Sequence, residues 1–226
     1  MVHRVTTQSW VSLAGAPTPD VNLALVHDGD ADTLAAVLEA IAEVGCPTLL
    51  MLAGRATAQA NTLGPAWVSA GSMPFMRADI TATSRRRDPR VRRAGRDDLD
   101  AVSAMLGDAF AMTAEVAAVP LHPVLDPQAD MTTWVLEDQG EPVSTVMSCQ
   151  VDDAITLWCM ATPQRFTRRG FARALLADLM ARAEADGVRV GLLGATPAGK
   201  PLYDATGWTT VEAWDLYTNG QTANFH

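Results

Sequence analysis

The chain has 226 residues, 48% of them hydrophobic, enough for the core of one large domain or two small ones at roughly 100 to 200 residues per domain. With 26 acidic against 17 basic residues its net charge is −9, so a polyanionic partner such as nucleic acid is repelled over most of the surface. No run approaches the roughly 18 to 20 apolar residues of a membrane span, and residues 1–12 lack the apolar stretch of a signal peptide, so no membrane partner and a cytoplasmic location are expected.

Residues 22–26 form an apolar strand candidate, and His27-Asp28-Gly29-Asp30 turns the chain into a helix. Leu34, Val37, Leu38, Ile41 and Val44 share one face at helical spacing, and Gly45 with Pro47 stops it. Residues 48–52 read as a short buried strand and 57–63 as a short helix. An extended segment follows at about 73–80, and residues 81–89 are polar and arginine-rich, the best linker in the chain.

Seven arginines crowd positions 85–96. No aromatic residues interleave with them and Asp88-Pro89 interrupts the run, so a solvated linker leading into a strand is expected rather than a nucleic-acid patch. Residues 91–93 form that strand. A helix from about Asp97 carries Leu99, Val102, Met105, Leu106 and Ala109 on its apolar stripe, and residues 113–118 form a second, stopped by Pro120. Strands at 132–137 and 142–151 join through Asp138-Gln139-Gly140, and Asp152-Asp153 leads into an apolar strand at 155–160. Cys46, Cys149 and Cys159 are odd in number and lie in apolar surroundings, away from the four histidines, so reduced thiols and no metal site are expected.

The strand at 155–160 runs into Thr162-Pro163-Gln164-Arg165-Phe166-Thr167-Arg168-Arg169-Gly170, and then into an amphipathic helix ending at Asp186-Gly187. Unpartnered amides at the helix start, its dipole, and Arg168, Arg169 and Arg173 all favour an anion such as phosphate. A nucleotide-hydrolase loop needs Lys-Ser/Thr after its last glycine and a dinucleotide fingerprint needs three glycines; neither is present. Beyond the helix come a buried strand at 188–193, a short helix around 200–206, Gly207-Trp208 and a last strand near 211–217. Such a crossover makes the flanking strands parallel and puts ligands at their C-terminal ends.

From about Arg90 to Thr218 the chain resembles the GNAT superfamily of acyl-CoA-dependent N-acyltransferases. Thr167-Arg168-Arg169-Gly170-Phe171-Ala172 matches the pyrophosphate motif Gln/Arg-x-x-Gly-x-Gly/Ala except at Thr167, and Gly199-Lys200-Pro201-Leu202-Tyr203-Asp204-Ala205-Thr206-Gly207-Trp208 resembles the segment Gly-x-x-Leu-Tyr-x-x-x-Gly-Phe. The resemblance implies an α/β fold, α+β in layout: a mixed central sheet with splayed parallel strands, flanked by helices. It implies acetyl-CoA as co-substrate, with no metal. Arg168, Arg169, Gly170, Phe171, Ala172 and Arg173 would hold the pyrophosphate, and backbone groups at Met160 and Ala161 the pantetheine. Tyr203 would be the general acid for the departing thiolate. The activity expected is acetyl transfer to a primary amine of a small molecule or an amino acid side chain of a peptide, with a homodimer left open. A non-catalytic acyl-CoA sensor or interaction module is the alternative, supported by the Thr167 departure. No base is assigned from Glu137, Asp153 and Asp215, and Cys159 is read as inert rather than as an acyl carrier.

The element order of the first half echoes the last third: strand, helix, glycine, strand, short helix, tryptophan. Its turn, His27 to Asp30, carries acids where the other carries arginines. Residues 1–84 are therefore expected to form a degenerate, partial GNAT-like half or an accessory α/β extension, joined by a linker at 85–89 to a catalytic domain at 90–226.

Overall fold

The computed structural model describes residues 2–80, 87–126 and 129–220. Contacts gather the chain into two units, Met1–Phe75 with Val211–His226, and Met76–Thr210. The division thus falls before the expected linker, of which residues 81–86 lie outside the described ones, and the C-terminal segment packs with the first unit.

In the first unit, β1 (Val2–Val5) and β2 (Ser9–Leu13) form an antiparallel hairpin, and β2 pairs antiparallel with β3 (Asn22–His27). The hairpin is absent from the sequence reading, since Val-His-Arg-Val is too short and polar to signal a strand and mostly faces solvent. Helix α1 (Ala31–Val44) starts where the Asp30 carboxylate accepts the Thr33 N–H (2.9 Å) and stops at left-handed Gly45. It buries Leu34, Val37 and Ile41 against Val26, Leu50 and Leu52. Strand β4 (Leu49–Ala53) lies parallel to β3, followed by a 3-10 segment, Gly54–Thr62, and by β5 (Val68–Asp79).

The second unit contains the end of β5, then β6 (Val91–Arg93), α2 (Leu99–Phe110), α3 (Ala114–Ala118) and α4 (His122–Leu125). Strands β7 (Met131–Asp138), β8 (Glu141–Val151) and β9 (Ala154–Ala161) follow as an antiparallel meander. The turn between β7 and β8 is Gln139-Gly140 with φ of 53° and 82°, the left-handed pair that a two-residue hairpin with matching twist requires. Helix α5 (Phe171–Ala185) crosses to β10 (Val190–Gly194), which runs parallel to β9; α6 (Lys200–Asp204) follows. Strand β11 (Thr209–Thr218) then passes into the first unit and pairs antiparallel with β4. In the second unit the strand order is β10-β9-β8-β7-β6. One face is packed by α5 through Leu175, Leu176, Leu179 and Met180, and another cluster joins α2 and α3 to Val135 and Met147. Among the described residues no helix is long and apolar enough to cross a membrane.

Within the arginine run, Arg87, Arg90 and Arg92 are held more tightly than in a solvated linker. Arg92 grips Asp98 through two nitrogens (2.7 and 2.8 Å) and also bonds Glu137, holding the Asp98 carboxyl below its usual range, and Arg90 pairs with Asp88 and Asp138. Arg87 reaches Asp178 in α5 (3.2 Å). Asp178 is fully buried and also accepts from the Asp88 N–H (2.8 Å) and from Arg182, whose guanidinium stacks on Trp134 at 4.6 Å. Removing one partner of a buried ion pair strands the others, so Asp178→Ala is expected to destabilise by about 3 kcal/mol. A lower denaturant midpoint at unchanged slope checks this; an unchanged midpoint overturns it.

Candidate active site

β9 and β10 start side by side, with Ala154, Ile155 and Thr156 opposite Val190, Gly191 and Leu192. Their pairing ends there, although β9 runs on to Ala161. The parting is followed by an irregularity on the other edge of β9: Thr145 faces Ala161 and Met147 faces Trp158, so Val146 alone spans both Cys159 and Met160. Cys159 adopts a left-handed φ of 50° there. An extra residue on one strand bends it and strengthens its twist, here three residues beyond the last β9–β10 pair. Backbone groups from Leu157 to Ala161 lose a partner strand on that side.

At the C-terminal end of the gap stands the head of α5. Arg168 (φ 59°) and Gly170 (φ 85°) are both left-handed, and no side chain caps the helix. The first bond back is from the Ala174 N–H to Gly170 O (2.9 Å), so the amides of Phe171, Ala172 and Arg173 have no carbonyl of their own helix to meet. A Cβ placed on Gly170 would meet nothing within 4 Å. Among the described residues Arg168, Arg169 and Arg173 make no ion pair, while Arg165 is tied to Glu141 (2.9 Å). Thr167, which also lines the cavity, donates its hydroxyl to Gln164 O (2.9 Å) and closes its own turn.

These surfaces enclose a cavity of about 600 Å³. Of the residues expected from sequence, Met160, Ala161, Arg168, Gly170, Phe171, Ala172, Arg173 and Tyr203 line it. Arg169 is not among the lining residues; its guanidinium lies over Phe166, 5.8 Å from the ring centre. Thr162, Gln164, Thr196 and Leu202 complete walls that the motifs had framed, but Asp108, Ala109 and Phe110, from the end of α2, had no signal in sequence. Asp108 accepts the Gln164 N–H (2.9 Å) and so fastens α2 to the cradle turn. Glu137 is paired to Arg92, and Asp153 sits before the start of β9; neither lines the cavity.

Tyr203 is buried, 7% exposed, and burial pushes its phenol up to about 12. Its hydroxyl reaches only the Met160 sulfur, 3.5 Å away, a weak acceptor. The ring is held edge-on by Trp208 at 5.8 Å. Trp208 itself fits because Gly191 has no side chain, a Cβ there coming within 2.7 Å of the indole. Burial also lifts the Cys159 thiol to about 11, and the side chain packs with the α2–α3 cluster rather than lining the cavity, so it is no nucleophile at neutral pH. No group of metal-ligating side chains occurs among the described residues.

The parallel strand pair of the first unit is closed by contrast. β3 and β4 stay paired from Leu23–Leu49 to His27–Ala53, and the Asp28 N–H then bonds Ala53 O (3.2 Å). Asp28's carboxylate accepts the Arg55 N–H (2.7 Å) and lies against left-handed Gly54, where a Cβ would come within 2.2 Å of it. That backbone bond, more than any other cause, keeps the Asp28 carboxyl low, and Asp30 already caps α1. The backbone amides of this turn and helix start are met by the chain's own carboxylates.

Comparison with solved structures finds the same architecture. A GCN5-related N-acetyltransferase from Kribbella flavida superposes with a TM-score of 0.68 at 16% identity, covering 96% of this chain and 88% of that one. A conserved protein of unknown function from Staphylococcus epidermidis gives 0.66 at 11% identity, with 96% and 93% covered. A GCN5-related N-acetyltransferase from Sphaerobacter thermophilus gives 0.61 at 14%, with 95% and 78% covered. At such identities the likeness speaks for the fold alone. A search of curated proteins finds no match. The family model for the acetyltransferase (GNAT) domain matches residues 109–222, half of the chain, and takes in both the open strand pair and the uncapped helix. The parted strands therefore belong to a recognised architecture, and the chain is a member of the GNAT acetyltransferase family.

Proposed function

We propose that the protein is an N-acetyltransferase that moves an acetyl group from acetyl-CoA to a primary amine of a small molecule or an amino acid side chain. The observation that carries this reading is the early parting of β9 and β10 directly below an uncapped, arginine-flanked helix start. The residues fit the co-substrate: amides of α5 and the side chains of Arg168 and Arg173 would hold the pyrophosphate, and the open space at Gly170 leaves room for it. Backbone groups at Met160 and Ala161 would pair with the pantetheine arm, although the Ala161 carbonyl already accepts the Ser144 hydroxyl (3.2 Å). We assign the catalytic domain to residues 90–226, with residues 1–84 as a half that binds no co-substrate.

Acetyl-CoA supplies an activated acyl carbonyl and a sulfur leaving group. Tyr203 holds its proton at every physiological pH and has no oxygen or nitrogen acceptor of its own, so its hydroxyl is available to a departing sulfur. A phenol near 12 would be a poor acid towards a thiolate whose conjugate acid has a pKa of roughly 8.5 in water. Desolvation of the departing sulfur in the cavity would raise its basicity in the same sense as burial raises the phenol, which brings the two towards the match that general acid catalysis requires.

A sensor that binds acyl-CoA without turnover is the second reading, favoured by the departure at Thr167, whose hydroxyl is engaged by Gln164 O. Calorimetry with acetyl-CoA followed by thiol release over an amine panel separates them. Binding with turnover is expected; binding without turnover on any amine supports the sensor, and no binding overturns both.

A further inference from the structure

The cavity is lined by charges of both signs. The positive end of α5, Arg168 and Arg173 face it. The C-terminal end of α2 contributes Asp108, Ala109 and Phe110, and Asp108 is the one carboxylate among the lining residues. An acid in the last turn of a helix runs against the dipole, and no basic residue in that turn offsets it. Among the described residues Asp108 also makes no ion pair, where several exposed carboxylates do. Its one hydrogen bond, from the Gln164 N–H to Oδ2, fixes the carboxylate beside the cradle turn and leaves Oδ1 available. A local arrangement that costs stability and lines a cavity marks a place built for a ligand of the opposite charge.

The reacting amine is a poor candidate for that charge. To attack a carbonyl it must be neutral, and a carboxylate bound to it would hold it as ammonium. We propose that Asp108 binds a second, non-reacting positive charge on the acceptor, so that the preferred substrate class is a dication, a short diamine or a longer polyamine. This rests on the acetyltransferase reading of the same cavity and adds Asp108 as its specificity-determining residue.

The test compares diaminobutane and diaminopentane with their monoamine counterparts, butylamine and pentylamine, in the full-length protein. Wild type is expected to favour each diamine by about tenfold in kcat/KM, the size of one charge-assisted hydrogen bond, and the preference should shrink as salt rises. Asp108→Asn keeps an oxygen for the Gln164 N–H and should bring the ratio near one through KM; Asp108→Glu should restore much of it. A wild-type ratio near one, or a ratio retained in Asp108→Asn or insensitive to salt, overturns the proposal. Should acetyl-CoA bind with no amine turned over, the acetyltransferase reading fails on its own, and calorimetry with diaminobutane still decides this one. Binding that Asp108→Asn weakens about tenfold supports it; no binding, or equal binding by both proteins, overturns it.

Discussion

Gly170→Glu is expected to weaken acetyl-CoA binding at least a hundredfold, about 2.7 kcal/mol, while the protein remains folded. The space a side chain would enter is free of protein atoms, so the fold meets no clash. Its cost is the left-handed backbone at φ 85°, about 1 kcal/mol for a residue with a Cβ. What the glutamate displaces is the ligand: its side chain fills the hollow and its charge opposes an anion at the amides of Phe171, Ala172 and Arg173. Gly170→Ala carries the same backbone cost without the charge, so a much smaller loss in that variant separates strain from repulsion. Unchanged affinity in Gly170→Glu removes the cradle from the argument.

Tyr203→Phe should lower kcat by about a hundredfold to a thousandfold, the range for losing a general acid, and spare the affinity for acetyl-CoA. The hydroxyl's sole protein partner is a thioether, so its loss leaves no strong acceptor unpaired and the ring can keep its contact with Trp208. The same phenol also leaves a mark on stability. Its folded pKa, about 12, exceeds the unfolded value near 10, so above pH 10 the folded chain keeps a proton that the unfolded chain has lost. Stability should therefore fall between about pH 10 and 12 by about 2 to 3 kcal/mol, and Tyr203→Phe should be spared that loss. Equal turnover in the variant at all pH values overturns the acid role; an equal alkaline slope in both proteins overturns the burial argument.

Much of this was readable from the residues. The path through β9, the arginine turn and α5 is written in local signals: an apolar run, one glycine flanked by bases, then a helical stripe. The Gln139-Gly140 turn and the Asp30–Gly45 limits of α1 are likewise local chemistry. What stayed hidden depends on register or on distant chain. Neither the end of the β9–β10 pairing at Thr156 nor the one-residue irregularity at Cys159 and Met160 beyond it leaves a trace in composition. Asp108 lies 56 residues before the Gln164 it holds, and as one acid on an amphipathic helix it resembled any solvated residue. Asp178 sits on a helix whose apolar stripe looks complete without it; its burial follows from Arg87 and Arg182 converging from elsewhere. The closed state of the first unit was foreshadowed by the acids of its turn, but the continuous β3–β4 ladder was not.

The run from Leu157 to Ala161 has a consequence beyond ligand binding. A strand with free backbone groups at the rim of a sheet invites other chains to add to it, the usual route to aggregation. Here the free stretch lies between two strands that remain joined below it at Thr156 and Leu192, so an approaching strand finds a wedge instead of an open border. The protein can keep its amides and carbonyls unsatisfied for a slender guest and still deny them to a neighbour's strand.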